Sequence, residues 1–166
     1  MAETLVPPEA KALIGAEALP VTGYPVSDHE IRRYCYAADD LNPLYVDEAA
    51  AREGPHGGII APPLFFTIPF ARDAPLSQIR EDGLAQTGQG LPRVPLNATR
   101  TMAGGVEVEL LRTVRPGDLL TQRRRIADVY EREGSAGPLA FTITEAEYVN
   151  QRGEVVAIER TTTITR

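Results

Sequence analysis

The second half of the chain alternates apolar and polar residues, a pattern that buries one face of a β-strand and constrains the fold more than any other feature. Val106, Val108 and Leu110, for example, interleave with two glutamates. Turns of sequence Arg-Pro-Gly-Asp and Asn-Gln-Arg-Gly punctuate the alternation at 115–118 and 150–153. Strands are therefore predicted near 97–113, 119–132, 138–149 and 154–165, forming an antiparallel meander with one polar and one apolar face.

The first half of the chain carries local helix signals instead. Ser27 and Glu30 form a capping box, and the residues after them fall at helical spacing, which predicts a helix over 28–38. A second short helix is predicted over 47–52, because acidic residues lie in its first turn and Arg52 in its last. The segment 75–95 is rich in Gly, Pro and Gln and is predicted to be a loop with at most one turn of helix.

A third helix is predicted where Pro62 and Pro63 precede the apolar run Leu-Phe-Phe-Thr-Ile over 64–68. This helix is apolar on every side, so it needs other structure around it. The sheet predicted from the second half supplies that cover. The expected fold class is therefore α+β, with one helix wrapped in a curved antiparallel sheet and one domain over residues 1–166.

Composition excludes several classes of function. The chain has 166 residues and a net charge of −6, so it lacks the basic surface of a nucleic-acid-binding protein. Cys35 is the single cysteine, which rules out an internal disulfide and a Cys-rich zinc site. The N-terminal residues do not resemble a signal peptide, and the most apolar segment, 57–71, is too short and proline-rich to span a bilayer. We expect a cytoplasmic protein with no membrane partner.

The densest polar cluster runs over 36–47 and reads Tyr-Ala-Ala-Asp-Asp-Leu-Asn-Pro-Leu-Tyr-Val-Asp, followed at 57–63 by Gly-Gly-Ile-Ile-Ala-Pro-Pro. Together these segments resemble the signature of the MaoC-like hydratases and dehydratases, Asp-x-Asn-Pro-x-His followed by a Gly-rich approach to a central helix. The turn at 115–118 and the strand around 126–130 also resemble that family. The resemblance covers the chain from about residue 27 and fits best the amino-terminal FAS1-like dehydratase branch.

The resemblance implies the hot-dog fold, in which a curved antiparallel sheet wraps a central apolar α-helix, and activity on acyl thioesters of coenzyme A or acyl carrier protein. It implies catalytic positions at Asp40 and Tyr45. It implies substrate-binding positions at Asn42, His56, Gly57, Gly58, Ala61, Pro62 and Pro63. No cofactor is expected, because the thioester of coenzyme A or acyl carrier protein is itself the substrate, and no metal is expected, because the sequence contains no zinc-ligand pattern.

The sequence departs from the family's catalytic pattern at two places, and both are positions whose residues take part in the reaction. Hydration of an enoyl thioester needs a group that takes and returns a proton, together with N–H donors on the thioester oxygen. Tyr45 occupies the His position, and a phenol with an ordinary pKa near ~10 is a hydrogen-bond donor at neutral pH rather than a proton shuttle. Pro62 and Pro63 occupy the family's His-Gly positions before the central helix, and proline has no N–H to donate.

Each candidate residue also has a structural interpretation. Asp40 is the right residue type to cap a turn between two helices, and Tyr45 to pack as an aromatic with a satisfied hydroxyl. His56 either supplies the missing imidazole or is a solvated loop residue. The three arginines at 123–125 either meet coenzyme A phosphates or form a solvated strand edge, because successive side chains of a strand alternate faces.

These observations leave three functional hypotheses. The first is an enoyl-thioester hydratase or 3-hydroxyacyl dehydratase acting in a hot-dog dimer. The second is a non-catalytic, substrate-binding subunit whose partner supplies an intact Asp/His pair. The third is a thioesterase, which fold analogy alone supports. All three predict an acyl-thioester ligand, and the first two predict a homodimer or a heterodimer with a second hot-dog subunit, since pairing resolves the exposed sheet edge.

Overall fold

The computed structural model describes residues 4–71, 76–79, 81 and 90–166. Within these residues no helix is long and apolar enough to cross a membrane. The helices are α1 (Pro8–Lys11), α2 (Asp28–Ala38), α3 (Pro43–Val46) and α4 (Glu48–Glu53), with 3₁₀ helices at Phe65–Phe70 and Leu76–Gln78. The strands are β1 (Val21–Thr22), β2 (Thr101–Leu110), β3 (Thr121–Gly134), β4 (Gly137–Val149) and β5 (Val155–Thr165).

The helices predicted over 28–38 and 47–52 are both present, the first with the predicted bounds and the second as α4, one residue later than predicted. The hydroxyl oxygen of Ser27 accepts the N–H of Glu30 at 3.1 Å, and the hydroxyl in turn donates to the Glu30 carboxylate. Asp47 caps α4 by accepting the N–H groups of Ala49 and Ala50. The capping box at Ser27 is confirmed, whereas Asp47, predicted to lie in the first turn of its helix, is instead the N-cap residue.

The five strands form one antiparallel sheet in the order β1-β3-β4-β5-β2. The four long strands lie within a few residues of the predicted spans, but the predicted meander is wrong for the first of them. β2 pairs with β5 along its whole length. β3 pairs with β4 and is separated from β2 by both β4 and β5. The turn at 115–118 therefore belongs to a crossover and does not join neighbouring strands.

The apolar segment after Pro63 is a six-residue 3₁₀ helix, so the prediction of an α-helix there is wrong. Pro69 lies inside it and has no N–H for an α-helical hydrogen bond. Leu64, which precedes the helix, adopts a left-handed conformation with φ of 69°. The predicted burial is nevertheless largely confirmed, since Phe65 and Phe66 are almost fully buried.

Two apolar clusters cover the two ends of one sheet face, which we call the inner face. The larger one joins α2, the 3₁₀ helix Phe65–Phe70 and strands β4 and β5 through residues such as Ile31, Phe66 and Tyr148. The smaller one joins α1 to β3 and β4 through residues such as Ala10 and Val129. The helices thus lie on the inner face, and the space between the two clusters is available for polar side chains.

The two faces of the sheet are mixed in character, contrary to the prediction of one polar and one apolar face. Thr142 pairs with Val129, which belongs to the smaller core cluster, so this threonine lies on the inner face. Phe141 lies on the outer face, where its ring stacks on Tyr130 with centroids 5.0 Å apart. Alternation therefore located the strands correctly but did not determine which set of side chains is covered.

The predicted loop at 75–95 lies partly outside the described residues. Its described part contains one 3₁₀ turn, Leu76–Gln78, and an irregular segment over 90–95, in agreement with the prediction. Residues 75, 80 and 82–89 of this prediction are not described.

Candidate active site

The polar cluster forms a tight connection between α2 and α3. α2 ends at Ala38, and the capping residue Asp39 adopts a left-handed conformation with φ of 53°. The N–H of Asp40 donates to the carbonyl of Cys35 at 2.9 Å. The Asp40 carboxylate accepts the N–H of Asn42 at 3.4 Å. Asn42 is exposed, and its side chain caps α3 by accepting the N–H of Leu44 at 3.1 Å. Asn42 therefore shapes the loop from outside the cleft described below.

The negative charge of Asp40 acts on the Tyr45 side chain. Burial raises the pKa of the Tyr45 phenol, and the negative charge of Asp40 raises it further, with a smaller contribution from Cys35. Burial and Asp40 likewise raise the pKa of the Cys35 thiol. Tyr45 therefore carries its proton at neutral pH, and among the described residues its hydroxyl makes no hydrogen bond. It is available as a donor to a ligand.

Tyr45 borders a cleft of about 270 Å³ between the segment 60–63 and the end of β2. The residues that line this cleft are Tyr45, Ile60, Ala61, Pro62, Pro63, Phe66, Leu110, Leu111, Arg112, Thr113, Val114 and Val156. Four of the predicted site residues, Tyr45, Ala61, Pro62 and Pro63, are thus brought together. The lining is mainly apolar, which suits an acyl chain better than a charged ligand.

The wall formed by residues 60–63 offers no backbone N–H to the cleft. The N–H of Ile60 donates to the carbonyl of Leu44 at 3.2 Å, and that of Ala61 donates to the carbonyl of Val114 at 2.8 Å. Pro62 and Pro63 have no N–H. An oxygen that develops negative charge beside this wall therefore finds no main-chain donor there.

His56 is not brought to the cleft. Its carbonyl oxygen accepts a hydrogen bond from the Arg115 guanidinium at 2.8 Å, and its side chain is half-buried beside the loop. Gly57 and Gly58 follow it with φ of 67° and 155°, and a Cβ at either would meet no atom within 4 Å. These glycines are therefore needed for backbone conformation and not for close approach, and neither lines the cleft.

Sequence reasoning missed the opposite wall of the cleft, residues 110–114 and Val156. They come from the exit of β2 and the start of β5, which lie side by side only because β2 pairs with β5. The one signal in the sequence was that the apolar–polar alternation stops after Leu110, which indicates that the strand ends there.

The three arginines at 123–125 divide between the two faces of the sheet, as strand geometry predicts. Arg125 lies on the outer face and pairs with Glu145, while Arg124 lies on the inner face and donates to Gln122. Arg123 is exposed. None of the three lines the cleft, so the structure does not bring them to a thioester bound there.

Comparison with known proteins agrees with this fold and motif. Residues 12–159 match the family described as "FAS1-like, dehydratase domain region". The chain is 32% identical over 126 residues to a UPF0336 protein of Streptomyces coelicolor, covering 75% of this chain and 76% of that protein. It is 29% identical over 144 residues to a probable enoyl-CoA hydratase alpha subunit of Thermomonospora curvata, covering 82% of this chain and 43% of that protein.

The structural comparison concerns the fold. The ChsH1-ChsH2 complex of Mycobacterium tuberculosis matches with a TM-score of 0.67 at 22% identity, covering 93% of this chain and 85% of that one. The hot-dog expectation is confirmed, although the central element is a 3₁₀ helix here. The matched region runs from residue 12, directly after α1, to residue 159 in β5, and includes both the polar loop and the cleft wall. The chain therefore belongs to the FAS1-like dehydratase-region family of MaoC-like hot-dog proteins.

Proposed function

We propose that this chain is the acyl-thioester-binding subunit of a two-subunit enoyl-thioester hydratase or 3-hydroxyacyl-thioester dehydratase. Its partner is a second hot-dog subunit that carries the intact Asp/His pair. The observation that carries this proposal is the cleft in which Tyr45 occupies the histidine position while the wall at 60–63 has no N–H to donate.

The chemistry explains why this cleft suits binding better than catalysis. Hydration joins the oxygen of water to the β-carbon of the enoyl group and delivers a proton to the α-carbon, so a base and an acid are both required. A phenol whose pKa is raised by burial and by Asp40 does not take a proton from water at neutral pH. Without N–H donors, the enolate oxygen that forms on the thioester is also poorly stabilised.

The edge of the sheet offers a surface for the partner. β2 is the last strand of the sheet, and its outer edge pairs with no strand in the described part of the chain. Met102, Val106 and Leu110 along it are exposed by 41%, 61% and 50%. Long, exposed apolar edge strands are uncommon in proteins that stay alone, because their unpaired backbone groups invite pairing. The same edge ends at the cleft, so a partner paired there borders the bound thioester.

The relatives support the same assignment. The Thermomonospora curvata relative is named as an alpha subunit of an enoyl-CoA hydratase, and the Mycobacterium tuberculosis structure is a complex of two different chains. Both names describe assemblies with more than one kind of subunit. The chain spans less than half of the Thermomonospora protein, so we transfer to it only the subunit role.

The test compares the isolated chain with the chain mixed with a second hot-dog protein from the same genome that carries an intact Asp-x-Asn-Pro-x-His motif. Crotonyl-CoA and longer enoyl-CoA esters are followed by loss of enoyl absorbance, and binding is measured by calorimetry. We expect the isolated chain to bind the longer esters with little turnover, and the mixture to be faster by about 10²-fold or more. Failure to bind any acyl-CoA overturns the proposal.

A complete hydratase is the second candidate, because the Asp40 carboxylate lies close enough to raise the pKa of Tyr45 and a carboxylate can act as a general base. Brisk turnover by the isolated chain, lost in Asp40→Asn, would establish this alternative. Release of free thiol from acyl-CoA by the isolated chain would instead point to a thioesterase.

A further inference from the structure

A second cavity, of about 250 Å³, lies on the inner face between the two apolar clusters. It is lined by Thr67, Phe70, Ala71, Gln122, Arg124, Thr144, Glu145, Ala146, Tyr148, Glu159 and Thr161. The helix that packs on this face is the short 3₁₀ helix Phe65–Phe70, and most of the side chains that line the cavity beyond it can form hydrogen bonds.

The pairing of the strands sets the shape of this cavity. Arg124, Ala146 and Glu159 face one another in a single row across β3, β4 and β5. Ala146 leaves open space between the longer side chains of its two neighbours. The cavity therefore has a cationic side, a carboxylate side and a small apolar floor.

The polar groups form one chain of hydrogen bonds. Arg124 donates to the side-chain oxygen of Gln122, whose amide donates to the Tyr148 hydroxyl at 2.7 Å. Tyr148 donates to Glu159 at 2.9 Å, and Thr161 donates to the other oxygen of the same carboxylate at 3.1 Å. An ionised carboxylate has about four acceptor positions, so Glu159 retains capacity for a further donor.

The cavity lies next to the cleft that holds Tyr45. Leu110 borders the cleft and Tyr148 borders the cavity, and both pair with Ala157 in one cross-strand row. Leu110 and Tyr148 are therefore two strand spacings apart, which corresponds to about 10 Å. Phe66 lines the cleft and Tyr148 lines the cavity, and their rings are in contact with centroids 4.6 Å apart.

We propose that this second cavity binds the hydroxyl-bearing far end of the acyl group, with Glu159 accepting the hydrogen bond from the substrate hydroxyl. The inference rests on the proposed function, because the acyl group enters from the thioester cleft. A plain hydrocarbon end would remove water from a carboxylate and return no hydrogen bond, which costs free energy. The substrate class is therefore enoyl thioesters that carry a distal hydroxyl group.

The test measures binding of paired enoyl-CoA esters of six, eight, ten and twelve carbons, with and without a terminal hydroxyl group. We expect the terminal hydroxyl to tighten binding about tenfold at the chain length that reaches Glu159, as a hydrogen bond to a charged group does. At shorter lengths the hydroxyl should weaken binding, because it stops beside apolar residues of the cleft.

Two variants and one matched control locate the effect. Glu159→Gln should reduce the preference for the hydroxyl several-fold, and Ala146→Leu, which fills the cavity floor, should abolish it. Glu147→Gln changes a glutamate that lies on the outer face of β4, opposite Arg123, and should leave the preference unchanged. Far-ultraviolet circular dichroism confirms that each variant is folded.

The outcomes separate the two proposals. If plain esters bind and the hydroxyl adds nothing at any length, this inference is wrong and the proposed function stands. If neither kind of ester binds, both are wrong. A hydroxyl preference that survives Ala146→Leu would place the hydroxyl outside the cavity and overturn the inference.

Discussion

The N–H of Ala61 donates to the carbonyl oxygen of Val114 at 2.8 Å, which fastens one wall of the cleft to the other. This bond uses the last N–H before Pro62 and Pro63. The arrangement keeps the cleft in shape while leaving its wall without a donor for a thioester oxygen.

Restoring the family's residues should therefore create activity. Tyr45→His supplies an imidazole, and Pro63→Gly supplies an N–H at the mouth of the 3₁₀ helix. We expect the double variant to hydrate crotonyl-CoA about tenfold faster than either single variant, because base and donor act on the same transition state. The measurement is loss of enoyl absorbance by the isolated chain. Equal rates for the double and single variants would show that the cleft lacks more than these two groups.

Asp40→Asn should change the site much more than the stability. The hydrogen bond that Asp40 accepts from Asn42 is long, at 3.4 Å, so we expect the free energy of unfolding to fall by less than about 1 kcal/mol. Removing the negative charge should lower the pKa of Tyr45, which nuclear magnetic resonance of labelled tyrosine can follow. Asp39→Asn, at the exposed neighbouring position, is the control. A destabilised variant with an unchanged Tyr45 pKa would assign Asp40 to turn capping alone.

Glu145 should make the protein sensitive to acid. It is 8% exposed, lies between Arg125 and Arg160, and has a pKa held below its ordinary value by hydrogen bonds from those arginines. A lowered folded-state pKa stabilises the fold above the ordinary value of 4.5 and loses that contribution as pH falls through the folded-state value.

The matching variant is Glu145→Gln. We expect it to lower the free energy of unfolding by about 1–3 kcal/mol at pH 7, with the difference from the native protein narrowing toward pH 3. Urea unfolding at several pH values gives the comparison. Glu133→Gln, at an exposed position, should show neither effect. A pH-independent difference would mean that packing, not charge, accounts for the role of Glu145.

The β2 edge should be the assembly surface. Val106→Asp places a charge on an edge position that is 61% exposed, so we expect loss of subunit association with little change in melting temperature. Light scattering of the chain alone and with its partner measures the mass. Leu19→Asp, at a more exposed apolar position away from β2, is the control. An unchanged mass for Val106→Asp would place the interface elsewhere.

The sequence predicted best the features that depend on nearby residues. The cap at Ser27 and the short helix after Asp47 are correct, because the donors and acceptors that start these helices lie within three residues of each other. The strands are correct because alternation is a local pattern. The place of β2 beside β5 was not predictable, because a strand's partner depends on contacts far away in the sequence.

The candidate site was likewise predicted only where its residues lie close together in the sequence. The motif led to Tyr45 and the wall at 60–63, which are close in sequence. His56 is equally close in sequence but lies off the cleft, because its loop is held by Arg115. Glu159 was not predicted, since its significance depends on which face of β5 is covered and on Ala146 beside it.

The strand order has a consequence for synthesis of the protein. β2 ends at Leu110, but β5, its only neighbour among the described strands, begins at Val155. On the ribosome, β2 therefore emerges well before the strand that will hold it, while β3 and β4 can already form their hairpin. Such distant pairing slows folding and leaves a strand open to aggregation in the meantime. The nascent chain is thus most vulnerable at the same strand to which we propose that the partner binds, so co-expression with that partner should raise the yield of folded chain.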